Sequence, residues 1–379
     1  MTVITTIDDL REIAKRKIPR AIFDYADGGA YMETTLRANR ADLLAIKLRQ
    51  RVLIDVAERS LASSFVGQPA AMPLAIGPTG LAGLFHVDGE ICGARAAEKF
   101  GIPFCLSTVS ICSIEDVRAS TQKPFWFQLY VMKDRGFATS LIERAKAAEC
   151  SALVLTLDQQ IQGQRHRDIK NGLTVPPRLT FANALNMLTK PGWALPMLKG
   201  KRKNFGNLQG YIPDSGVTVL AQWIASQLDA SLSWKDVAWI RSLWPGKLIL
   251  KGVLDAEDAK IAASSGADAI IVSNHGGRQL DGARSTISVL PEVVEAVDGK
   301  IEVLFDGGVR SGQDILKARA LGAQGCLIGR AFLYSLAAGG EAGVSRALEI
   351  IAKELDISMA LTGTRNVDEI GPHTLARGP

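Results

Sequence analysis

The chain has 379 residues, of which 47% are hydrophobic and 22% are charged, with 44 basic against 39 acidic side chains. This composition is typical of a globular protein and excludes a wholly disordered or fibrous chain. The net charge of +5 is too small, taken over the whole chain, to predict nucleic-acid binding. The five cysteines are odd in number and form no Cys-x-x-Cys pair. Reduced thiols in a reducing compartment are therefore expected rather than a disulfide framework.

The N-terminal residues mix acidic and basic side chains and lack the apolar core of a signal peptide. No stretch reaches the roughly 20 apolar residues that are needed to span a bilayer. We therefore expect a cytoplasmic protein that is soluble or attached to the surface of a membrane.

Eight short apolar runs alternate with amphipathic patterns of helical period. The predicted strands are Met72–Ile76, Ile102–Leu106, Phe125–Tyr130, Ala152–Leu157, Lys247–Lys251, Ala269–Ser273, Glu302–Phe305 and Gly325–Ile328. The predicted helices are Gly89–Lys99, Ser113–Ala119, Arg135–Ala148, Trp234–Ser242, Ala256–Ser265, Leu290–Ala296, Gly312–Ala320 and Glu341–Glu354. Continuous apolar character is expected of parallel strands that are buried on both faces. Eight strand–helix units predict an α/β fold, the (β/α)8 TIM barrel, over the rival doubly wound open sheet.

Two segments lie outside this repeat. Residues 1–70 precede the first strand and are predicted to form a helical N-terminal cap over one end of the barrel. Residues 159–233 connect the fourth strand to the next helix, and they far exceed the usual length of about two to six residues. This insertion leaves from the carboxyl end of a strand, where barrel enzymes keep their active sites. We expect one domain over 1–379, with the barrel at 71–379 and a functional insertion.

Polar side chains and glycines follow the predicted strands where each strand ends. These positions include Thr79, Gly80, Ser107, Gln128, Tyr130, Thr156, Asp158, Lys251, Ser273 and Asp306. Because the carboxyl ends of barrel strands meet at one face, we expect these residues to surround one pocket.

The glycines after the last two strands predict a phosphate site. Gly307 and Gly308 follow the seventh strand, and Gly329 follows the eighth, where barrel proteins bind phosphate through backbone N–H groups. Arg310 or Arg330 can add a bidentate contact. The alternative is a pair of ordinary glycine turns with solvated arginines. No Walker-type or Gly-x-Gly-x-x-Gly run follows an early strand, which disfavours a nucleotide triphosphatase or a Rossmann dehydrogenase.

His275 follows the sixth strand and is the candidate general base. A lone histidine is more often structural, but this one is flanked by glycines on the predicted active-site face, with Asp158 at another strand end. A neighbouring carboxylate raises the pKa of a histidine and stabilises the imidazolium that forms when it accepts a proton. Arg278 and Arg165 offer planar donors that suit a substrate carboxylate.

Several ordered motifs resemble one enzyme family over nearly the whole chain. SNHGGRQLDG around His275 is similar to the active-site sequence of the FMN-dependent 2-hydroxy acid dehydrogenases and oxidases. The other matching segments are IFDYADGGA, MPLAIGPTGLAG, FWFQLYV, LTLD, ILKGV, LFDGGVRSGQD and LIGRAFLY. The resemblance implies FMN as the cofactor, no metal, and a homotetramer.

The resemblance also implies an activity. The enzyme would oxidise an (S)-2-hydroxy acid, such as L-lactate or L-mandelate, to the 2-oxo acid and pass electrons to a quinone or cytochrome. The alternative within the family is an oxidase that uses O2 and produces H2O2. A flavin-binding regulator without turnover and a non-redox barrel enzyme such as an aldolase are the alternatives from other classes.

The resemblance assigns roles to individual residues. His275 would be the base, and Asp158 would pair with its imidazolium. The substrate would contact Tyr25, Tyr130, Arg165 and Arg278. FMN would be held by Thr79, Gly80, Ser107, Gln128, Thr156, Lys251, Ser273, Asp306, Gly307, Gly308, Arg310, Gly329 and Arg330, with Lys251 beside N1 and O2 of the flavin.

Two departures from the family pattern bear on the substrate and the electron acceptor. The oxidases commonly carry Ala where this chain has Gly80, whereas the mandelate dehydrogenases have Gly. Val109 stands where glycolate oxidase has a large aromatic residue, which predicts room for a longer or bulkier substrate side chain.

The basic excess is concentrated in the insertion. Residues 169–213 contain seven basic side chains and no acidic one, and without them the chain has 37 basic against 39 acidic residues. Leucines, methionines and Trp193 are interspersed among the basic residues, as in segments that lie on an anionic membrane surface. The sequence therefore predicts contact of this segment with the inner face of the cytoplasmic membrane. A solvated loop or a subunit contact is the alternative.

Overall fold

Three helices and a hairpin make up the N-terminal segment in the computed structural model, which describes residues 3–172, 181–209, 211 and 226–376. They are α1 (Ile7–Lys17), α2 (Arg20–Asp27), α3 (Thr34–Ala45), β1 (Ser63–Phe65) and β2 (Gln68–Ala70). A capping box at Thr6 starts α1, whose first turn is acidic and whose last turn is basic. Both charge distributions oppose the dipole of the helix and stabilise it.

Eight parallel strands follow and close into a barrel. They are β3 (Leu74–Ile76), β4 (Cys105–Ser107), β5 (Trp126–Leu129), β6 (Ala152–Thr156), β7 (Lys247–Val253), β8 (Ala269–Val272), β9 (Glu302–Phe305) and β10 (Gly325–Ile328). Each strand from β4 onward pairs with the next, β10 pairs with β3, and a parallel bridge from Ile76 to Phe104 closes the ring. The predicted (β/α)8 TIM barrel is confirmed, with strand bounds that shift by at most three residues.

The barrel helices follow their strands in chain order. They are α4 (Gly89–Phe100), α5 (Ile114–Arg118), α6 (Arg135–Ala147), α10 (Trp234–Leu243), α11 (Ala256–Ala263), α12 (Thr286–Val297), α13 (Gly312–Ala320) and α14 (Arg330–Thr362), with α7 to α9 in the insertion. The last helix begins at Arg330, eleven residues before the predicted start, and it is bent at Gly339 and Gly340. The two glycines interrupt the helical pattern of the sequence, which explains why only its second half was predicted.

The insertion contributes helices α7 (His166–Lys170), α8 (Phe181–Leu188) and α9 (Pro191–Lys199). The Trp193 Nε1 donates to the carbonyl of Leu84 at 2.8 Å, so α9 rests on the loop that follows β3. Residues 173–180, 210 and 212–225, which belong to the predicted membrane segment and insertion, lie outside the described residues. Within the described ranges, no helix is long and apolar enough to cross a membrane.

The barrel interior explains where the polar side chains lie. Interior side chains recur at every second residue of a strand, and Val154, Ile249 and Ile271 belong to the buried interior cluster. Two positions further along their strands or just beyond come Thr156, Lys251 and Ser273. The interior side chains therefore change from apolar to polar toward the carboxyl ends of the strands. These polar side chains form a floor that covers the apolar interior of the barrel.

The N-terminal segment covers both ends of the barrel. Helices α2 and α3 lie at the carboxyl end, where Tyr25 and Asn39 line the cavity. The hairpin β1–β2 was not predicted: Phe65, which is 1% exposed, belongs to the interior cluster. Its ring meets the edge of Trp126 with 6.0 Å between centroids, so the hairpin seals the opposite end.

Candidate active site

A cavity of about 350 Å³ opens at the carboxyl ends of the barrel strands. The predicted site residues that line it are Tyr25, Thr79, Gly80, Tyr130, Arg165, Lys251, His275, Arg278, Asp306, Gly307, Gly308, Arg310, Gly329 and Arg330. Ser107, Gln128, Thr156 and Ser273 are buried directly beneath these residues on the strand ends. Asp158 lies behind His275. The sequence-predicted residues are thus brought together in one place.

His275 and Asp158 form a hydrogen-bonded pair. The Nδ1 of His275 lies 3.0 Å from Oδ1 of Asp158, and the backbone N–H of His275 donates to Ser273 Oγ at 3.1 Å. His275 has a φ of +56°, a conformation that is uncommon outside glycine and is found at functional sites. Because Asp158 engages Nδ1, Nε2 is the ring nitrogen left for a substrate.

Burial and charge act against each other in this pair. Burial lowers the pKa of His275 below its usual value, although the charge of Asp158 raises it. Burial alone would raise the pKa of Asp158, but His275 and Lys251 hold it below its usual range. At neutral pH the imidazole is therefore neutral and the carboxylate is ionised, which are the protonation states of a general base and its partner.

Two guanidinium groups, one buried and one partly buried, face the same cavity. Arg278 donates from Nη1 to the carbonyls of Tyr25 and Gly28, and its guanidinium carbon lies 4.8 Å from the centre of the Tyr25 ring. Arg165 is 8% exposed, and its Nε is buried without a hydrogen-bond partner among the described residues. Burial and the charge of Arg165 lower the pKa of Arg278. A bound carboxylate would satisfy these donors and relieve the repulsion.

Asp168 is a site residue that the sequence reasoning missed. It is buried, lines the cavity, and places Oδ2 3.7 Å from Nη1 of Arg165. Burial raises its pKa in spite of the two nearby arginines. Its spacing of three residues from Arg165 on a helical segment was the signal that could have identified it.

The floor of the cavity is a chain of hydrogen bonds between strand ends. Gln128 donates to Thr156 Oγ1 at 3.0 Å and accepts from Ser107 Oγ at 3.2 Å. Lys251 donates to Ser273 Oγ at 2.9 Å and lies 3.2 Å from Asp306. Donors and acceptors arranged in this way can bind the polar edge of a flat heterocycle.

Lys251 remains charged inside the floor. Burial would lower its pKa, but Asp306 and Asp158 raise it above the usual value. A buried ammonium group suits a flavin, which gains negative charge when it is reduced.

The two glycine turns fit a phosphate group. Gly307 and Gly308 have φ values of +100° and +104°, and a Cβ on Gly307 would lie 2.4 Å from Thr286 Oγ1. Gly329 precedes the first turn of α14, whose free N–H groups favour an anion. Together with the polar floor and Lys251, this donor set fits FMN.

The structure places the two predicted phosphate-binding arginines differently from each other. Arg310 lies 3.2 Å from the exposed Asp8. Arg330 donates from Nε and both terminal nitrogens to the carbonyls of Ala26, Gly276 and Gly28, at 2.7 to 2.8 Å. The Arg330 side chain therefore ties α2 to the loop of His275. Direct phosphate contact by either side chain stays a prediction.

Known proteins resemble this chain over its full length. Residues 14–377 match the FMN-dependent dehydrogenase family. The L-lactate dehydrogenases of Caulobacter sp. (strain K31) and Pseudomonas syringae pv. syringae (strain B728a) are 47% and 48% identical, and the alignments cover 99% of each chain.

Solved structures agree with these sequence matches. The structure of the monotopic membrane protein (S)-mandelate dehydrogenase is 38% identical, with a TM-score of 0.93 and coverage of 100% of both chains. A mandelate oxidase is 35% identical, with a TM-score of 0.83 and coverage of 99% of this chain and 98% of that one. The predicted family, fold and cofactor are confirmed. The chain belongs to the FMN-dependent 2-hydroxy acid dehydrogenase family, and FMN is its cofactor.

Proposed function

We propose that the protein oxidises an L-2-hydroxy acid to the corresponding 2-oxo acid. The observation that carries this proposal is the His275–Asp158 pair in the same cavity as two arginines, Arg165 and Arg278. Oxidation of a 2-hydroxy carboxylate requires a base that is neutral at pH 7, to accept the hydroxyl proton, and cationic groups that bind the carboxylate. Relatives named L-lactate dehydrogenase and (S)-mandelate dehydrogenase support the same substrate class.

The protein's own groups bind the substrate and move its protons. The substrate carboxylate pairs with the guanidinium groups of Arg165 and Arg278. His275 then accepts the proton of the substrate hydroxyl at Nε2, and Asp158 stabilises the imidazolium. Burial raises the pKa of Tyr130, so its hydroxyl stays protonated and can donate to the substrate oxygen. FMN, when bound, would accept the two electrons together with the hydrogen that leaves the substrate Cα, so that both hydrogens lost in the oxidation are accounted for.

Apolar residues on the cavity wall receive the substrate side chain. Leu81, Val109, Met132 and Leu228 line this wall. A Cβ on Gly80 would lie 2.7 Å from Val109 Cγ2, so the valine methyl occupies the space beside the glycine. We propose L-lactate and L-mandelate as the first substrates to test, because a small or aromatic apolar side chain suits this wall.

Anaerobic flavin reduction tests the reaction. L-lactate or L-mandelate is expected to bleach the flavin absorbance of the purified protein, with the 2-oxo acid as product. His275→Ala is expected to retain bound FMN and to lose substrate-driven bleaching. If no 2-hydroxy acid bleaches the native flavin, the proposed activity is wrong; if His275→Ala bleaches at the native rate, the base is another group.

Electrons leave the reduced protein, in this proposal, to a quinone or a cytochrome. Gly80 supports a dehydrogenase only through its resemblance to the mandelate dehydrogenases, which also carry Gly where the oxidases commonly have Ala. Reoxidation of the reduced protein by a soluble quinone analogue is expected to be faster than reoxidation by O2. Faster reaction with O2, with stoichiometric H2O2, would favour the oxidase instead.

The insertion supports a peripheral membrane location. Leu185, Leu188, Leu195 and Leu198 are exposed on α8 and α9. The exposed basic end of α1 lies beside them, since Lys190 Nζ donates to the carbonyl of Arg16 at 2.5 Å. Exposed leucines next to basic side chains favour attachment to an anionic bilayer, and the (S)-mandelate dehydrogenase relative is a monotopic membrane protein.

Vesicle sedimentation tests this location. The native protein is expected to sediment with vesicles that contain phosphatidylglycerol, and the double variant Leu188→Asp/Leu195→Asp is expected to stay in the supernatant. Leu53→Asp is the matched control because Leu53 is fully exposed on a distant loop. Equal sedimentation of all three proteins would contradict the membrane location.

The predicted homotetramer is a separate proposal, which sedimentation velocity tests.

A further inference from the structure

Two buried asparagines form a reciprocal pair between α3 and the loop of His275. The Nδ2 of Asn39 donates to Oδ1 of Asn274, and the Nδ2 of Asn274 donates to Oδ1 of Asn39, both at 2.8 Å. The two residues are 1% and 6% exposed. Neither of them was assigned a role from the sequence, and neither takes part in the proton transfer proposed above.

Neighbouring backbone groups fix the orientation of both amides. The N–H of Gly277 donates to Asn274 Oδ1 at 3.0 Å, and the N–H of Thr286 donates to Asn39 Oδ1 at 3.2 Å. Asn274 Nδ2 also donates to the carbonyl of Arg284 at 3.2 Å. Since N–H groups require acceptors, neither amide can be turned around. The pair therefore closes the loop at both ends, from residue 274 to residue 286.

His275 lies inside the turn that this pair holds. Three consecutive residues, His275, Gly276 and Gly277, have φ values of +56°, +65° and +73°. The glycines adopt this left-handed conformation freely, whereas His275 is strained in it. A histidine keeps such a backbone conformation only where the surroundings enforce it. The side chain of Asn274 contributes to it here, because the N–H of Gly277 donates both to Asn274 Oδ1 and to the Asn274 carbonyl, each at 3.0 Å. Asn39 holds that side chain in place.

We infer that Asn39 and Asn274 are positioning residues, which hold His275 so that its Nδ1 meets Asp158 and its Nε2 meets the substrate. This inference rests on the proposed role of His275 as the base. It implies that α3, a helix of the N-terminal segment, helps to position the proposed base in a loop of the barrel. Relaxation of the turn would shift the imidazole, and a misplacement of about 1 Å can cost about 10²-fold in rate.

Substitution of the two asparagines tests the inference. Asn39→Ala and Asn274→Ala are each expected to lower the limiting rate of anaerobic flavin reduction by about 10- to 100-fold. The double variant is expected to be no slower than the slower single variant, because both substitutions remove one unit. The Kd for FMN is expected to stay within about twofold of the native value. Asn39→Asp keeps an acceptor for Asn274 Nδ2 and for Thr286 but places a second acceptor against Asn274 Oδ1. Its rate is therefore expected to lie between those of Asn39→Ala and the native protein.

A second readout does not depend on turnover. The ¹⁵N resonance of His275 Nδ1 in the FMN-loaded protein is expected to lose its hydrogen-bonded shift in Asn39→Ala and to keep part of it in Asn39→Asp. Asp42→Ala is the matched control, because Ser285 Oγ donates to Asp42 Oδ2 between the same helix and the far end of the same loop. This control is expected to lower thermal stability and to leave the limiting rate within about twofold.

Three results would overturn the inference. The first is a native limiting rate in folded, FMN-loaded Asn39→Ala and Asn39→Asp. The second is a double variant whose rate loss equals the product of the losses in Asn39→Ala and Asn274→Ala. The third is a loss of rate in Asp42→Ala as large as that in Asn39→Ala. A native protein that no 2-hydroxy acid reduces would instead overturn the proposed function. The imidazole resonance would still report whether the asparagines position His275.

Discussion

The charge state of His275 depends on burial and on the charges around it in the site. Burial and Lys251 lower the pKa of the imidazole, and the carboxylate of Asp158 raises it. The base needs to be neutral to accept a proton, so kcat/KM is expected to fall as the pH drops through this pKa, which lies below the usual 6.5. The acid limb of the profile of kcat/KM against pH therefore reports how the opposing charges of Asp158 and Lys251 set the pKa of His275.

Removal of either charge is expected to move the acid limb in a predictable direction. Asp158→Asn removes the charge that raises the pKa of His275, so the limb shifts to lower pH while kcat falls by about 10²- to 10⁴-fold. Lys251→Gln removes a charge that lowers this pKa, so the limb shifts to higher pH. The profile of kcat/KM against pH measures both variants. Shifts in the same direction would show that His275 is not the titrating group.

Individual site residues differed in how well the sequence could identify them. Asp158, Lys251 and His275 were predictable because each directly follows or ends an apolar strand, which fixes its place on the barrel. Arg330 was predicted at phosphate, yet its guanidinium reaches back to the carbonyls of α2 and of Gly276. Residue position follows from strand order, whereas the direction of a long side chain depends on tertiary neighbours.

At the scale of elements, the barrel strands were predictable because each is a continuous apolar run that is buried on both faces. The hairpin β1–β2 was not, because each of its strands has only three residues and just one side faces the core. The role of α3 was also hidden, since Asn39 contacts a residue 235 positions away. The local sequence pattern predicts which helices and strands form, but it does not predict which distant residues they contact.

The loop between β9 and α13 depends on glycine in a way that can be measured. Gly307→Ala places a Cβ at a φ of +100° and 2.4 Å from Thr286 Oγ1, so the loop has to move. The Kd for FMN is expected to rise by at least about tenfold, because backbone N–H groups of this loop are the proposed phosphate donors. Fluorescence titration of the apoprotein with FMN measures the change.

Gly299→Ala is the matched control for this loop. Gly299 also has a positive φ, of +67°, but a Cβ there meets no atom within 4 Å. The variant is expected to lose about 1 kcal/mol of unfolding free energy through backbone strain and to bind FMN as the native protein does. Equal FMN affinity in the Gly307 and Gly299 variants would exclude the proposed phosphate cradle.

On the scale of the whole molecule, one carboxylate joins three distant parts of the chain. Asp27, at the end of α2, accepts hydrogen bonds from Arg11 of α1, Arg167 of the insertion and Tyr334 of α14. Arg167 also donates to Glu33 at 2.7 Å. This network anchors the N-terminal segment and the insertion to the barrel beside the cavity.

The network makes a contribution to stability that depends on pH. Burial alone would raise the pKa of Asp27, but hydrogen bonds from Arg11 and Tyr334 hold it well below the usual range. A carboxyl group whose pKa is lower in the folded state stabilises the fold above its unfolded pKa of about 3.9. That contribution is lost as the pH falls toward the folded pKa.

Asp27→Asn is therefore expected to lower the unfolding free energy by about 1.5–3 kcal/mol at pH 7, because charged hydrogen bonds are lost. The difference from the native protein is expected to shrink as the pH falls below about 4, where the Asp27 carboxyl group of the unfolded chain begins to be protonated while that of the folded chain stays ionised. Urea unfolding at several pH values measures both effects. Asp8→Asn is the control: its carboxylate is 72% exposed beside Arg310, so a loss below about 1 kcal/mol is expected. A deficit in Asp27→Asn that stays constant down to pH 3 would mean that packing, not the charge of Asp27, joins these three parts of the chain.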